Sequence, residues 1–225
     1  MLFSNRQDAG RRLAAELTRF KNAQPVILAL PRGGVPVGFE IALALNAPLD
    51  VVLVRKIGAP GMSELAIGAI VDGEQLDRII DSELVAELGV AQSYLDGEIA
   101  RQAAEIERRR RVYFKGRAPV TVAGRAALVI DDGIATGATM RAALRAIRRR
   151  SPAKLVLAVP VAPPHTIDAL RPEVDEIVCL ATPEQFFAIG QFYADFRQLD
   201  DEDVIALLDR AHQRSGIAQA ASGNP

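Results

Sequence analysis

The sequence predicts an α/β fold, with an open, mostly parallel, twisted sheet, helices on both faces and a small hood or insertion region. Short β-branched apolar runs alternate along the chain with longer segments of helical periodicity, the pattern of successive β–α units. Several of the short runs are apolar throughout, as expected of parallel strands covered on both faces. The 225 residues suffice for one such domain with a modest appendage.

We expect one domain over residues 1–214, containing a helical insertion at 82–115 and a candidate hood at 181–200. Small and polar residues after Ser215 predict a flexible tail at 215–225. No internal repeat divides the chain.

The first half begins with a helix whose apolar face carries Leu13 and Leu17. The next helix is apolar almost all round, which predicts that it is covered on both sides. Glycine and proline then mark a loop between two strands. In order, the expected elements are helix Arg6–Phe20, strand Val26–Leu30, helix Val35–Leu45, strand Asp50–Val54, loop Ile57–Ser63 and strand Leu65–Val71.

Ser82–Phe114 predicts two helices broken near Gly89, the second with an apolar stripe through Leu95, Ile99 and Ile106. Alternating strands and helices complete the sheet, and a final helix closes the domain. The remaining expected elements are a strand centred on Val129, helix Gly137–Arg149, strand Lys154–Val161, helix His165–Leu170, strand Glu176–Leu180 and helix Asp201–Arg214.

Composition argues against several kinds of partner. The net charge is −1, so no global electrostatic attraction to nucleic acid or membrane follows, and Trp is absent. The single cysteine, Cys179, excludes an intramolecular disulfide and provides no metal cluster. No apolar run is long enough to span a bilayer, and the N-terminal sequence is not that of a secretory leader. We therefore expect a cytoplasmic protein, which can still be a homo-oligomer.

The most informative segment is Ala127–Thr139, ALVIDDGIATGAT, in which a buried strand ends in Asp131 and Asp132. Ligands bind at the carboxyl ends of strands in open α/β sheets, and carboxylates there can accept hydrogen bonds from a ribose diol. The small-residue loop and the following helix N-terminus attract a phosphate, and Thr136 and Thr139 can add hydroxyl donors. The alternative is an ordinary βα turn with a capping threonine, which leaves most of the string unexplained.

Two further turns follow strands. The segment Leu30–Gly38, LPRGGVPVG, presents Arg32 with two glycines that let backbone N–H groups approach a di-anion. Arg55 and Lys56 end the next apolar run, ahead of the Gly- and Pro-rich loop. Taken alone, the first segment is also compatible with an ordinary βα turn, and the second with a solvated strand terminus.

Together these segments resemble the type I phosphoribosyltransferases, which use 5-phosphoribosyl-1-pyrophosphate (PRPP). The resemblance implies that Asp131 and Asp132 hold the ribose hydroxyls. It implies a 5′-phosphate cradle and a pyrophosphate site, with a mobile loop after Lys56 that closes over PRPP. The cradle comprises Ala135, Thr136, Gly137, Ala138 and Thr139. The pyrophosphate site comprises Arg32, Gly33, Gly34, Arg55 and Lys56.

The implied reaction is attack of a ring nitrogen on C1 of PRPP with loss of pyrophosphate, in which Asp131, Asp132 and Lys56 are the catalytic candidates. Mg²⁺ would be carried by PRPP rather than by a protein metal site. The acceptor is expected to be a nucleobase, as in nucleotide salvage, but Ala135 stands where enzymes for 6-oxopurines usually carry Asp. A PRPP-sensing regulator without turnover is the alternative function on the same fold.

The aromatic segment 186–196 leaves two interpretations open. Its five aromatic residues can pack under the closing helix, or they can form a hood that stacks the acceptor base.

Overall fold

The computed structural model describes residues 2–72 and 76–222. Short 3-10 helices cover Thr18–Ala23, Arg171–Glu173 and Ile189–Phe192. In chain order, the helices and strands are α1 (Arg6–Leu17), β1 (Val26–Ala29), α2 (Gly34–Leu45), β2 (Leu49–Val51), β3 (Val54–Ala59), β4 (Met62–Val71), β5 (Asp77–Ile80), α3 (Ser82–Glu87), α4 (Gln92–Phe114), β6 (Ala126–Ile130), α5 (Ala138–Arg149), β7 (Lys154–Val161), α6 (Pro164–Leu170), β8 (Glu176–Ala181) and α7 (Asp201–Ser222).

Five strands within the described residues form the parallel sheet, in the order β2-β1-β6-β7-β8. The chain leaves β1 toward β2 on one side and later returns to β6 on the other. The strand order therefore reverses between β1 and β6, and ligands of open α/β sheets bind at such a reversal. The predicted mostly parallel sheet is confirmed.

Alternate residues of each sheet strand belong to two apolar layers, one on each face of the sheet. This explains why the strands are apolar throughout. Ile27 and Leu128 belong to the layer that contains residues of α1, α2, α4 and α7. Leu28 and Val129 belong to the opposite layer, which contains residues of α5 and α6. Helices cover both faces, as the sequence predicts.

The predicted loop Ile57–Ser63 is wrong, because most of it is strand. β3 and β4 pair as an antiparallel hairpin whose tight turn contains Gly61 at φ +71°, and β5 adds a third strand among the described residues. Glycine and proline in this run obscure the alternation of apolar and polar residues that is typical of a strand. Arg55 and Lys56 consequently lie inside β3, opposite Ile70 and Ala69, rather than at the end of a sheet strand.

Other boundaries differ less. The run Asp50–Val54 is divided between β2 and β3, since Val52 and Leu53 leave the parallel sheet and lead into the hairpin. The helix break near Gly89 is confirmed. Helix α7 continues to Ser222 instead of ending at Arg214, so most of the predicted tail has helical backbone, and residues 223–225 lie outside the described residues. In the part of the chain that the structure covers, no helix has the length and apolar character needed to cross a bilayer.

Candidate functional site

The loops after β1 and β6 meet at the carboxyl edge of the sheet. The two strands are parallel neighbours, and the Leu30 N–H donates to the Ile130 carbonyl at 2.9 Å. The peptide bond between Pro31 and Arg32 is cis. The sheet topology therefore brings the Arg32 turn beside Asp131, although about one hundred residues separate them in sequence.

Glycine is required in the Arg32 turn because the Asp pair lies directly against it. A Cβ at Gly33 would stand 2.1 Å from Asp132 Oδ2, and one at Gly34 would stand 2.7 Å from the Ile130 carbonyl oxygen. Both distances are far below van der Waals contact. The backbone of the predicted pyrophosphate turn is thus packed directly against the predicted ribose carboxylates.

These groups border one cavity of about 370 Å³. Its lining contains four of the predicted site residues, together with residues from α1 and the segment before α7. The lining residues are Arg6, Pro31, Arg32, Gly33, Asp131, Asp132, Phe196, Gln198 and Leu199.

The two carboxylates have different environments. Asp132 is 6% exposed, whereas Asp131 is half-buried at the cavity. Burial and, secondly, the neighbouring charge of Asp132 raise the pKa of Asp131 well above its usual value. Burial also raises the pKa of Asp132, but the Arg6 guanidinium opposes this rise. Asp132 is therefore the better stabilised carboxylate of the pair.

Arg6 is the site residue that sequence reasoning missed. Its Nε donates to Asp132 Oδ2 at 2.7 Å, and its side chain is nearly as buried as that of Asp132. The two residues are 126 positions apart, and a lone arginine at the start of an amphipathic helix carries no local signal of such a contact. Only the assembled sheet places α1 beside the loop after β6.

The predicted phosphate loop ends at the N-terminus of α5. Gly137 adopts φ +80°, a left-handed conformation that favours glycine, and α5 begins at the next residue. Ala135, Thr136, Ala138 and Thr139 are all exposed. The loop thus presents backbone and hydroxyl donors to solvent next to the positive end of the helix dipole.

Thr166, in α6, anchors the phosphate loop through a hydrogen bond from its side chain. It is 2% exposed, and its hydroxyl donates to the Ala135 carbonyl at 2.6 Å. We expect Thr166→Val to lower the free energy of unfolding by about 1 to 2 kcal/mol, because a similar shape is kept while the hydrogen bond is lost. Urea unfolding measures the difference. Thr18→Val is the control, since Thr18 makes the same kind of bond at an exposed helix end; equal losses in the two variants would contradict an anchoring role.

Lys56 shares a second cavity, of about 480 Å³, with Ala138 and Thr139 of the phosphate loop. Arg55 borders a third cavity between β3 and α4, which Lys56 and Thr139 also line. The Arg55 Nε donates to Gln102 Oε1 at 2.8 Å, and burial lowers the pKa of Arg55. Lys56 thus lies close to the phosphate loop, whereas Arg55 is engaged with α4. The sequence also makes Ser63 and Glu64 candidates, since they follow Lys56 closely in the chain. Both lie in β4, and their side chains are outside the described part.

The aromatic segment 186–196 mainly packs. Phe192 and Tyr193 are buried with Phe3, and the Tyr193 ring lies 5.3 Å from that of Phe3 and 5.0 Å from that of Phe196. One face of Phe196 carries the Arg6 guanidinium at 3.9 Å from the ring centroid. Phe187, by contrast, is 87% exposed. These contacts favour the packing interpretation for Phe192, Tyr193 and Phe196.

Comparison with known proteins agrees with this geometry. The family model of the phosphoribosyl transferase domain matches residues 2–197. The chain belongs to the phosphoribosyltransferase family. Two curated relatives from Mycobacterium tuberculosis strains, provisionally named phosphoribosyl transferases, are each 44% identical over the whole chain. The chain spans about half the length of these relatives, 51%.

A solved structure shares the fold closely. The crystal structure of the protein TT1426 from Thermus thermophilus is 43% identical, with a TM-score of 0.80 over 92% of this chain and 98% of that one. The resemblance to type I phosphoribosyltransferases inferred from the Asp131 and Arg32 motifs is thereby confirmed at the level of family and fold.

Proposed function

We propose that this domain transfers the 5-phosphoribosyl group from PRPP to a nitrogen acceptor and releases pyrophosphate. One observation carries the proposal: Arg32 and Gly33 share a cavity with Asp131 and Asp132 at the strand-order reversal. A cation beside backbone N–H groups suits a di-anionic leaving group, and carboxylates suit a ribose diol. Family membership supports the same reaction.

Each predicted group keeps a definite role in the proposal. Asp131 and Asp132 would orient the ribose and oppose the positive charge that develops at C1. Arg32 and Lys56, with Arg55 as the weaker candidate, would stabilise the departing pyrophosphate, while Gly33 and Gly34 allow close approach. The loop from Ala135 to Thr139 would hold the 5′-phosphate. Since the acceptor nitrogen is the nucleophile, positioning and charge stabilisation would supply most of the rate.

We propose that the cation is carried by the substrate and not by a protein metal site. No group of three or more His, Cys, Asp or Glu side chains with metal-binding geometry occurs in the described residues. Mg²⁺ readily keeps several water ligands and binds through substrate phosphates. When bound with PRPP, it would supply charge neutralisation of the pyrophosphate, and the protein's part would be to bind that complex through Arg32 and Lys56.

The acceptor is proposed to be a nucleobase, with a role in nucleotide salvage in the cytoplasm. Ala135 provides no carboxylate before Thr136, which disfavours an acceptor that needs a protein carboxylate for its ring proton at that position. Gln198 and Leu199 line the same cavity as the Asp pair, and we propose that the acceptor meets the protein beside them.

The decisive experiment measures pyrophosphate release from Mg²⁺·PRPP across a panel of purine, pyrimidine and related bases. We expect release that depends on one acceptor and falls about 10²-fold in Asp131→Asn. PRPP binding without release for any base would favour the PRPP-sensing regulator instead. Absence of binding would contradict both functions.

A further inference from the structure

The carboxylates of Asp131 and Asp132 differ in how closely the protein surrounds them. Both carboxylate oxygens of Asp132 lie within 2.7 Å of the position that a Cβ on Gly33 would occupy. The Arg6 guanidinium approaches the same carboxylate. Asp131 keeps partial exposure, and its Oδ1 accepts from the Asp132 N–H at 2.8 Å. Asp132 is therefore the more tightly enclosed of the two carboxylates, although both residues line the cavity.

Arg6 is held by three different contacts. Besides the bond to Asp132, its Nη1 donates to the Arg197 carbonyl at 2.9 Å, and its guanidinium stacks on Phe196. Arg6 is 8% exposed, so the ion pair with Asp132 is largely shielded from water. Burying two charges costs desolvation energy, so a buried ion pair contributes little net stability. Its presence here therefore favours a role in positioning the site.

The segment that carries Arg6 is itself fixed. The backbone of Phe3 pairs with that of Tyr193, through bonds from the Phe3 N–H to Phe192 and from the Ala194 N–H to Phe3. The Tyr193 hydroxyl donates to the backbone carbonyl of Asp132 at 2.5 Å. The chain start and the aromatic segment thus form one clamp around the second carboxylate.

We infer that Arg6 is a positioning residue for PRPP. It holds the Asp132 carboxylate against Gly33 and thereby fixes the geometry in which the Asp pair meets the ribose diol. The inference deepens the proposed function and rests on it. Arg6 needs no contact with the reacting atoms, because its effect reaches the substrate through the geometry of the Arg32 turn and the charge of the Asp pair.

The charge environment makes the role measurable. The titratable and charged groups around Asp132 and Asp131 are Arg6 from α1, Tyr193 from the aromatic segment and Arg32, which lines the same cavity. Arg6 opposes the rise in the pKa of Asp132 that burial causes. Loss of this cation leaves two adjacent carboxylates that cannot both ionise easily. Activity should then fall at a higher pH on the acid side.

The test compares Arg6→Ala, Arg6→Lys and the control Arg12→Ala. Arg12 also lies on α1, pairs with Asp8, donates to the Leu2 carbonyl and lies over the Phe3 ring. We expect Arg6→Ala to raise the KM for PRPP about 10- to 100-fold, because displacement of the Asp pair by up to about 1 Å weakens its contacts with the ribose, with a smaller change in kcat. The acid limb of kcat/KM should move to higher pH. Arg6→Lys should restore part of the affinity, and Arg12→Ala should match the wild type.

Should Arg6→Ala fail to fold, Phe196→Leu removes the ring beneath the guanidinium and should raise the KM for PRPP about threefold, a fraction of the loss expected for Arg6→Ala. A lowered melting temperature with unchanged KM and pH profile in the Arg6 variants, or in Phe196→Leu, would overturn the positioning role while leaving the proposed function intact. Wild-type protein that neither binds PRPP nor releases pyrophosphate would overturn the proposed function itself.

Discussion

Gly33→Ala is expected to reduce pyrophosphate release by at least about 10²-fold. The added methyl would occupy space 2.1 Å from Asp132 Oδ2, and the carboxylate cannot withdraw without breaking its bond to Arg6. Displacement of catalytic groups by about 1 Å can cost this much in rate. The φ of Gly33 is −62°, a value that alanine adopts readily, so any loss reflects the close approach and not backbone strain.

Gly97→Ala provides the matched control. Gly97 lies inside α4, and a Cβ there has nothing within 4 Å. Replacement of an open helical glycine by alanine should raise stability by about 0.5 to 1 kcal/mol and leave turnover unchanged. Steady-state assays and thermal melts of both variants give the comparison. Wild-type turnover in Gly33→Ala would show that the contact between the turn and Asp132 has no part in activity.

Asp131→Asn should lower kcat/KM for PRPP about 10²-fold without loss of stability. The amide keeps the size of the side chain but removes the charge that accepts the ribose hydroxyls. It also removes repulsion between the two carboxylates, a cause of the raised pKa of Asp131. The melting temperature should therefore stay level or rise.

Asp132→Asn should behave differently, since it leaves Arg6 buried without its carboxylate partner. Breaking a buried pair in this way destabilises a protein by about 3 kcal/mol or more. Loss of activity in Asp132→Asn will therefore be combined with loss of stability. For the same reason, a double variant of Asp131 and Asp132 tests the chemistry less clearly than Asp131→Asn alone. Equal melting temperatures for the two single variants would contradict the asymmetry of the pair.

Much of this arrangement could be predicted locally. The DD-G-x-x-TG-x-T string and the PRGG turn each follow an apolar run, and the carboxyl ends of neighbouring parallel strands necessarily meet. The strand, loop and helix around Asp131 and the helix after Arg32 were therefore predictable to within a residue or two. The two-faced burial of the sheet follows from strands that are apolar at every position.

The remaining features depend on contacts that are distant in sequence. Arg6 reaches Asp132 across 126 positions of sequence, and the pairing of the backbone of residues 2–4 with that of 192–195 helps to hold it there. The sequence predicts a loop at the β3–β4 hairpin because Gly58 is a poor strand former and Pro60 and Gly61 are turn formers. Pairing with β4 overrides the preference of Gly58, and Pro60 and Gly61 form the turn itself. The Arg55 contact with Gln102 likewise requires α4 to lie across β3.

Calorimetric titration of wild-type and Asp131→Asn protein with Mg²⁺·PRPP tests the proposed site most directly. If PRPP lies between the Arg32 turn and the Asp pair, the wild type binds one PRPP per chain. Asp131→Asn then binds it about 10²-fold more weakly, because the ribose hydroxyls lose a charged acceptor. Equal affinity in the two proteins would contradict the assignment of Asp131 to the ribose, and absence of binding to the wild type would contradict the site as a whole.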